Sequence, residues 1–263
     1  MTELMENVIA VVSASAKPFN KDNIKDIVEK NNDPVNVVTN VDKEVEYRLK
    51  ENLIPLIYGS KFIGEESGAD DYNADTMWVV DPIDGTSNFV RGIPLAFVSV
   101  GLMQGKEPVL GVTYNPLTGD MWYAEKGHGA YLNGDKITVS DKPMKNGVFS
   151  MHFGDYNKDK AHVPFAVTQK LFKDVETVRN FGSIAYSLAA MSSGQVELMY
   201  SMYCYAWDVA SGLCLLKEAG GHYTLFSGNG DEWYRGPLGI IAANSEETLR
   251  ALRDVHYNVL GAI

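Results

Sequence analysis

Residues 76–80, Thr-Met-Trp-Val-Val, form a short apolar run rich in β-forming side chains, and two aspartates follow it closely. A run of this composition predicts a buried strand. On both sides of it, segments with helical spacing alternate with further β-type runs, and no Pro/Gly/Ser-rich linker, charge run, repeat or low-complexity tract divides the chain. We therefore expect α and β layers packed into one domain over residues 1–263, with two lobes at roughly 1–145 and 146–263.

The other elements follow from hydrophobic periods and turn signals. Helical spacing predicts helices at 2–16, 41–57, 163–172, 183–191, 209–219 and 246–259, with one more directly after Gly85. Apolar or alternating β-type runs predict strands at 95–103, 109–114, 120–125, 130–139, 147–152, 175–178, 196–200, 222–225 and 238–242. The glycine-containing turns between residues 95 and 139 indicate an antiparallel meander. Residues 17–34 are polar and irregular.

The charge balance limits the partners. The 263 residues carry a formal net charge of −11, with a sequence pI of about 4.9. Nucleic acids and anionic membranes bind basic surfaces, so we expect neither as a partner, whereas a small anionic substrate remains possible if a metal ion offsets the field. The two cysteines, Cys204 and Cys214, are typical of free thiols in a reducing compartment. No apolar run is long enough for a signal peptide or a membrane span, so we expect a cytoplasmic protein.

The two aspartates after the 76–80 run offer a cation site. The proline after Asp81 holds that residue extended, and Gly85 permits a tight turn into a helix whose first amides can bind an anion. Asp81, Asp84 and the carbonyl oxygen of Ile83 are hard ligands that suit Mg²⁺. A capped turn is the alternative, because Asp-Pro and Asp-Gly are common turn dipeptides. Two like charges about 4 Å apart repel by ~4 kcal/mol at an effective dielectric of about 20. A helix cap needs only one acid, whereas a cation site needs both, so the pair of aspartates favours the cation site.

Other ionisable residues fit a structural role as well as a functional one. Asp208 precedes a predicted helix and fits an N-cap as well as a ligand, since one oxygen is available for each role. Glu65 and Glu66 fit an exposed loop as well as a site. The histidines are His128, His152, His162, His222 and His256. They show no metal-ligand spacing, so we interpret most of them as surface or structural residues and do not expect zinc.

The chain also lacks the signatures of P-loops, nucleophile elbows and dinucleotide-binding turns. Three other motifs occur in order: Gly64-Glu65-Glu66-Ser67, Asp81-Pro82-Ile83-Asp84-Gly85-Thr86 and Trp207-Asp208-Val209-Ala210. An upstream segment, Val37-Val38-Thr39-Asn40-Val41-Asp42, carries a Thr-x-x-Asp element, and Glu218-Ala219-Gly220-Gly221 follows the third motif. In this arrangement nearly the whole chain resembles the inositol monophosphatase family. That family belongs to a metal-dependent, lithium-sensitive phosphatase superfamily that includes fructose-1,6-bisphosphatase.

The resemblance implies an α/β fold, a five-layered αβαβα sandwich of the sugar phosphatase type, and a homodimer. It also implies two to three Mg²⁺ ions per subunit. The first ion would be held by Glu65, Asp81 and the Ile83 carbonyl oxygen, and the second by Asp81, Asp84 and Asp208. A third, weaker ion would lie near Glu65, and Asp81 would bridge the first two.

The resemblance assigns the substrate contacts as well. The amides of Gly85 and Thr86 would hold the phosphate, and Thr86, hydrogen-bonded to Asp42, would orient the attacking water. Glu65, Asp42 and Thr86 are thus the expected catalytic residues. The substrate-binding residues implied are Gly85, Thr86, Ser183, Ile184, Ser201 and Asp208.

Three positions depart from the pattern of the well-studied animal enzymes. Asn36 stands where an aspartate is usual. Asn31 lies near the place of an expected lysine, and Lys30 is one position away. Ser201 stands where those enzymes carry a glutamate that binds sugar hydroxyls. The metal ligands are therefore complete, whereas the identity of the substrate is open.

We predict a Mg²⁺-dependent phosphomonoesterase that hydrolyses inositol monophosphate or a related small polyol or sugar phosphate by direct attack of metal-activated water. Phosphate monoester hydrolysis needs acceleration of up to ~10²¹-fold, and a single general acid or base supplies roughly 10²–10⁴, so metal ions are required. Alternatives within the superfamily are a fructose-1,6-bisphosphatase, a histidinol-phosphatase and a 3′-phosphonucleotide phosphatase. A non-catalytic regulator that binds metal or sugar phosphate is more remote. An aspartyl-phosphate mechanism fits poorly, because its D-x-D motif is D-x-x-D here.

Overall fold

The structure, a computed structural model, describes residues 1–30, 37–153 and 161–261. The helices are α1 (Glu3–Ser15), α2 (Asn40–Leu53), α3 (Thr86–Arg91), α4 (His162–Leu171), α5 (Ile184–Ser192), α6 (Ala206–Glu218) and α7 (Glu246–Leu260). The first ten strands are β1 (Ile27–Glu29), β2 (Val37–Thr39), β3 (Lys61–Gly64), β4 (Gly68–Ala69), β5 (Thr76–Asp84), β6 (Phe97–Gln104), β7 (Glu107–Tyr114), β8 (Met121–Glu125), β9 (Gly129–Leu132) and β10 (Asp135–Ile137). The remaining strands are β11 (Val148–His152), β12 (Thr177–Arg179), β13 (Leu198–Cys204), β14 (His222–Ser227) and β15 (Leu238–Ala243).

Two large sheets organise these elements. The first has eight strands in the order β10-β9-β8-β7-β6-β5-β3-β4, and the second has five in the order β12-β11-β13-β15-β14. In the first sheet only β3 and β5 pair in parallel, and the neighbours from β5 to β10 form the antiparallel meander that the turn signals predict. In the second sheet β11 pairs in parallel with β12 and β13. A small separate sheet joins β1 to β2.

Alternation along β5 shows how the sheets and helices form layers. Trp78 and Val80 point to one face and pack against α1 and α2. Met77 and Val79 point to the other face and pack against α5 and α6. The second sheet lies on the far side of α5 and α6, and its outer face packs against α4 and α7. The order of layers is therefore α, β, α, β, α, which confirms the predicted α/β sandwich.

Four predicted helices, α1, α2, α5 and α7, start close to their expected bounds, where a side-chain cap marks the start. Thr2 accepts a hydrogen bond from the N–H of Met5 at the start of α1, and Ser245 accepts one from Thr248 at the start of α7. The prediction for residues 17–34 is wrong in part, because β1 lies there and its three residues are exposed, so no apolar period marks it. Among the described residues, no helix combines the length and apolar character needed to cross a membrane.

Candidate active site

Asp81 and Asp84 end β5 at a β-bulge, which brings both side chains to one face of the sheet. Side chains alternate along a regular strand, so residues three apart point to opposite faces. Asp81 pairs with Ser99 of β6 and Asp84 pairs with Phe97, so β5 contains one more residue than β6 over this interval. The extra residue reverses the alternation. Pro82 lies inside the bulge, where its missing N–H removes no regular ladder bond.

Asp208 approaches the two aspartates from the middle helix layer. Asp81 lies on the face of β5 that packs on α5 and α6, and Asp208 is in the first turn of α6. Its Oδ2 accepts a hydrogen bond from the N–H of Tyr205 at 2.6 Å. Tyr205 is therefore the N-cap residue of α6, and Asp208, three residues later, accepts from the N-cap N–H, which corrects the N-cap interpretation of Asp208. One carboxylate oxygen each of Asp81, Asp84 and Asp208 lies within 4.8 Å of the other two.

Glu65 reaches this group from the turn after β3. Beneath the turn, the buried carboxylate of Glu46 on α2 accepts hydrogen bonds from the N–H groups of Glu66 and Ser67, each at 2.8 Å. Gly64 makes room for that carboxylate, because a Cβ at this position would lie 2.5 Å from Glu46 Oε2. Glu46 therefore holds the backbone that presents Glu65.

Lys30 lies over the same turn. Its Nζ is 2.9 Å from Glu65 Oε1 and 2.6 Å from Glu66 Oε1. Burial lowers the pKa of the Lys30 ammonium, but the charges of Glu65 and Glu66 outweigh burial and raise that pKa above its ordinary value. Burial and the charge of Glu65 raise the pKa of Glu66 to about 7. The chain thus brings a lysine to these acids although Lys30 is one position from the expected place; Asn31 and Asn36 lie outside the described residues.

Asp42 and Thr86 meet beside the β-bulge. Asp42 Oδ2 accepts hydrogen bonds from the N–H and the hydroxyl of Thr39, at 2.8 and 2.5 Å, in the capping box that starts α2. The Thr86 hydroxyl lies 3.3 Å from Asp42 Oδ1 and 3.0 Å from the Ile83 carbonyl oxygen. With one proton, it donates to one of these two acceptors at a time. Asp42 is fully buried, and burial raises its pKa to about 6.

The start of α5 supports Asp84. The hydroxyl of Ser183, the N-cap residue of this helix, donates to Asp84 Oδ2 at 2.7 Å, and the N–H of Ala185 donates to the same oxygen at 2.5 Å. Both donors and the helix dipole favour the ionised carboxylate. The other oxygen of Asp84 has no hydrogen-bond partner among the residues described.

Burial and mutual repulsion act on all three aspartates. Burial and then the charges of Glu65, Asp84 and Asp208 raise the pKa of Asp81 well above its ordinary value. Burial raises the pKa of Asp84 to about 7 against the opposing bond from Ser183. Burial and the charges of Asp84 and Glu65 raise the pKa of Asp208 well above its usual range.

These residues fit a hard divalent cation. In the described parts of the chain, no Lys, Arg or His nitrogen lies within 4.0 Å of a carboxylate oxygen of Asp81, Asp84 or Asp208. The donor set consists of oxygen atoms only, which Mg²⁺ prefers. Carboxylates withdrawn from water without a protein cation are stabilised by a bound metal ion, so Asp81, Asp84 and the partly buried Asp208 could hold Mg²⁺. Glu65, which is paired with Lys30, lies beside them.

A cavity of about 260 Å³ opens over this group. Six of the predicted site residues line it: Asp84, Gly85, Thr86, Ser183, Ile184 and Asp208. Gly85 adopts a φ of 90°, and a Cβ there would lie 2.7 Å from the carbonyl oxygen of Leu95, so this tight turn requires glycine.

Ser201 is not among the residues that line this cavity. Its side chain is fully buried, and its hydroxyl donates to the carbonyl oxygen of Tyr203 at 3.1 Å. Tyr203 and His152 line the cavity instead. No local pattern marks His152 as a residue of this cavity, because its position depends on contacts between distant segments.

We expect the stability of chelator-treated protein to fall as pH rises from about 6.5 to about 8. The folded-state pKa of Asp84 is about 7, well above its ordinary value of 3.8, so the folded protein binds more protons than the unfolded chain in this interval. Stability gained from that proton is present at low pH and lost as pH rises through the folded-state pKa. Burial lowers the pKa of His152 from its ordinary value of 6.5 to about 4, so its opposing effect operates between these two values and fades as pH rises above 6.5.

The measurement is the melting temperature across this pH range, where we expect a fall of about 2 °C. Saturating Mg²⁺ should remove most of the fall, and Asp208→Asn, with one charge fewer, should reduce it. A melting temperature that rises with pH in the chelated protein would contradict the electrostatic description of the site.

A second expected result concerns Glu46. The two N–H groups of the turn that presents Glu65 donate to different oxygens of Glu46, so Glu46→Gln places an NH2 donor opposite one of them. Residues that orient metal ligands typically change metal affinity or activity by about 10–100-fold, and we expect the Mg²⁺ concentration for half-maximal binding to rise by that factor. Isothermal titration with Mg²⁺ measures it. Glu44→Gln, an exposed change on the same helix, is the control, and an unchanged Mg²⁺ affinity in folded Glu46→Gln would exclude a positioning role.

Comparison with known proteins agrees with this arrangement. Residues 2–258 match the profile of the inositol monophosphatase family. A fructose-1,6-bisphosphatase/inositol-1-monophosphatase of Aquifex aeolicus is 34% identical over 206 residues, covering 78% of this chain and 76% of its own. An inositol monophosphatase of Mesembryanthemum crystallinum is 38% identical over 220 residues, covering 80% of each chain.

A solved structure shares the fold. The extragenic suppressor protein suhB of Bartonella henselae superposes with a TM-score of 0.85 at 25% identity and covers 97% of this chain and 98% of its own. The similarity in sequence extends through all the motifs that build the acidic site, from the turn after β3 to the start of α6. The chain is therefore a member of the inositol monophosphatase family.

Proposed function

We propose that the protein is a Mg²⁺-dependent phosphomonoesterase that hydrolyses inositol monophosphate or a related small polyol or sugar phosphate. The observation that carries the proposal is the group of three aspartate oxygens within 4.8 Å of one another, at a cavity large enough for a small ester. A stabilising cap would not require three desolvated carboxylates without a cationic partner. Membership of the inositol monophosphatase family supports the same class of reaction.

The metal-holding roles are those that the family resemblance implies. Glu65, Asp81 and the Ile83 carbonyl oxygen would hold one cation, and Asp81, Asp84 and Asp208 would hold a second. The Ile83 oxygen has two lone pairs, so it can accept from Thr86 and still bind a cation. When bound, divalent cations neutralise phosphate oxygens and lower the pKa of water.

The remaining residues bind and orient the reactants. Gly85 and Thr86 would donate their backbone N–H groups to the phosphate. The Thr86 hydroxyl can accept a hydrogen bond from a water molecule while it donates to Asp42 or Ile83, and this contact would aim the water at phosphorus. Because Asp42 is fully buried, its carboxylate can fix the Thr86 hydroxyl without itself reaching the substrate.

The finer parts of the proposal come from the family resemblance. They are Mg²⁺ as the resident ion, two to three ions per subunit, sensitivity to Li⁺, a homodimer and a cytoplasmic location. Because a relative from Aquifex aeolicus is named as a fructose-1,6-bisphosphatase as well as an inositol monophosphatase, the bisphosphate is the second substrate to test.

The test is a phosphate-release screen with Mg²⁺ over inositol 1-phosphate, glycerol 2-phosphate, fructose 1,6-bisphosphate, histidinol phosphate and a 3′-phosphonucleotide. We expect the highest kcat/KM for inositol 1-phosphate. A highest value for another ester would change the substrate and keep the reaction class. Binding of these esters without release of phosphate would indicate the non-catalytic regulator instead.

A further inference from the structure

His152 is the last residue of β11, and it lines the cavity. None of the catalytic or metal-holding roles proposed above involves it. Only 7% of its surface is exposed, and that residual surface belongs to the cavity lining. Its Nε2 lies 2.8 Å from the hydroxyl oxygen of Ser187, which is fully buried in α5. The ring is therefore anchored on its Nε2 side.

The neighbours of Ser187 determine which ring nitrogen carries the proton. The Ser187 hydroxyl donates to the Ser183 carbonyl oxygen at 2.9 Å, and the same oxygen also accepts the backbone N–H of Ser187. Ser187 accepts from the hydroxyl of Ser150 at 2.9 Å, and His152 Nε2 lies 2.8 Å from it. Since the single proton of Ser187 is used toward Ser183, the contact with His152 is a hydrogen bond when Nε2 carries the proton of a neutral ring, and this tautomer makes all three contacts of the Ser187 oxygen hydrogen bonds.

The second ring nitrogen, Nδ1, is then an acceptor. No residue that the structure describes donates to it, and His152 lines the cavity, so Nδ1 is the ring nitrogen left for a ligand there. Burial lowers the pKa of His152 to about 4, which keeps the ring neutral at physiological pH. His152 thus offers one fixed, uncharged acceptor to whatever occupies the cavity.

We propose that His152 is a specificity-determining residue whose Nδ1 accepts a hydrogen bond from a hydroxyl group on the alcohol part of the substrate. The inference rests on the proposed phosphatase function and narrows the substrate to phosphate esters of polyhydroxy alcohols. Asp84 and Asp208 line the same cavity and would hold the cation that binds the phosphate group. The alcohol part of the ester would then lie against the uncharged lining residues, which include His152. On another wall Tyr203, whose hydroxyl lies 2.9 Å from that of Tyr205, offers a second uncharged polar group.

Two substrates and three variants test the inference. Inositol 1-phosphate and cyclohexyl phosphate have the same six-membered ring, but only the first carries free hydroxyl groups. His152→Gln can still reach Ser187 and loses the acceptor at the Nδ1 position. His152→Asn keeps an acceptor near Nδ1 and loses the contact with Ser187. Ser150→Ala disturbs the same buried network and leaves His152 unchanged, so it is the matched control.

We expect wild-type protein to prefer inositol 1-phosphate, and His152→Gln to lower its kcat/KM for that ester by about tenfold, since a hydroxyl left without an acceptor costs about that factor. The value for cyclohexyl phosphate should stay within about twofold, and His152→Asn should recover part of the preference. Ser150→Ala should leave the ratio of the two substrates unchanged.

An unchanged substrate ratio in folded and active His152→Gln would overturn the inference. If His152→Gln does not fold, as judged by circular dichroism, His152→Asn decides the question. A His152→Asn protein that no longer prefers inositol 1-phosphate to cyclohexyl phosphate would overturn the inference, and one that keeps the preference supports it. Wild-type protein that releases no phosphate from either ester with Mg²⁺ would overturn the proposed function itself, which is a different result from an unchanged ratio.

Discussion

Asp81→Asn is expected to lower kcat by at least about 10³-fold while the protein remains folded. Asp81 is the residue whose pKa is raised by Glu65, Asp84 and Asp208 together, after burial, so its carboxylate lies at the centre of the acidic group. A metal ion contributes several kcal/mol of charge stabilisation to phosphoryl transfer, and each 1.36 kcal/mol corresponds to about a factor of ten in rate. Removing the central carboxylate should remove most of that contribution.

The assay is steady-state phosphate release at saturating Mg²⁺, with the melting temperature of each protein measured in chelator. Asp81→Asn should melt at a temperature equal to or above that of the wild type, because it removes one of several repelling charges. Asp71→Asn, an exposed aspartate on the loop before β5, is the matched control. Near-normal turnover of folded Asp81→Asn would exclude a metal site built around this residue.

Thr86→Val is expected to lower kcat by about 10²-fold with little change in the Mg²⁺ concentration required. Valine keeps the shape of threonine and removes the hydroxyl that lies between Asp42 and the Ile83 carbonyl oxygen. Correct positioning of a proton donor or acceptor contributes roughly 10²–10⁴-fold, and this hydroxyl is not one of the proposed metal ligands. Thr86→Ser, which keeps the hydroxyl, should retain most of the activity.

The separation of kcat from the Mg²⁺ requirement distinguishes this role from metal binding. It is measured by titrating Mg²⁺ at saturating substrate for wild type, Thr86→Val and Thr86→Ser. A large rise in the Mg²⁺ requirement with kcat preserved would place Thr86 among the groups that hold the cation rather than among those that orient water.

Much of the acidic group could be predicted from sequence, because an apolar strand that runs into acids leaves them partly desolvated. The chain alone did not explain how Asp81 and Asp84, three residues apart, reach the same face. That depends on a bulge set by pairing with β6, and pairing partners are not visible in a local pattern. The sequence identifies Asp208 as an acid at the start of a helix. It does not show that Asp208 lies beside β5, since this depends on how α6 packs.

Glu46 carried a signal that was available in the sequence. It lies four residues after Asp42, and both fall on the buried face of α2, where an acid needs a partner. The exposed strand β1 and the short strand β3 carried no such signal, because neither shows an apolar period over enough residues. His152 could not be found locally, since Ser187, which fixes its tautomer, is 35 residues away.

Metal-dependent catalysis at Asp81 is tested most directly by phosphate release from inositol 1-phosphate by chelator-treated protein as Mg²⁺ is added back, with bound Mg²⁺ measured on the same samples. We expect no turnover in chelator, and turnover that rises in step with Mg²⁺ bound to wild-type protein and stays absent in Asp81→Asn. Phosphate release at full rate in chelator, or phosphate trapped covalently on Asp81 after quenching, would contradict it.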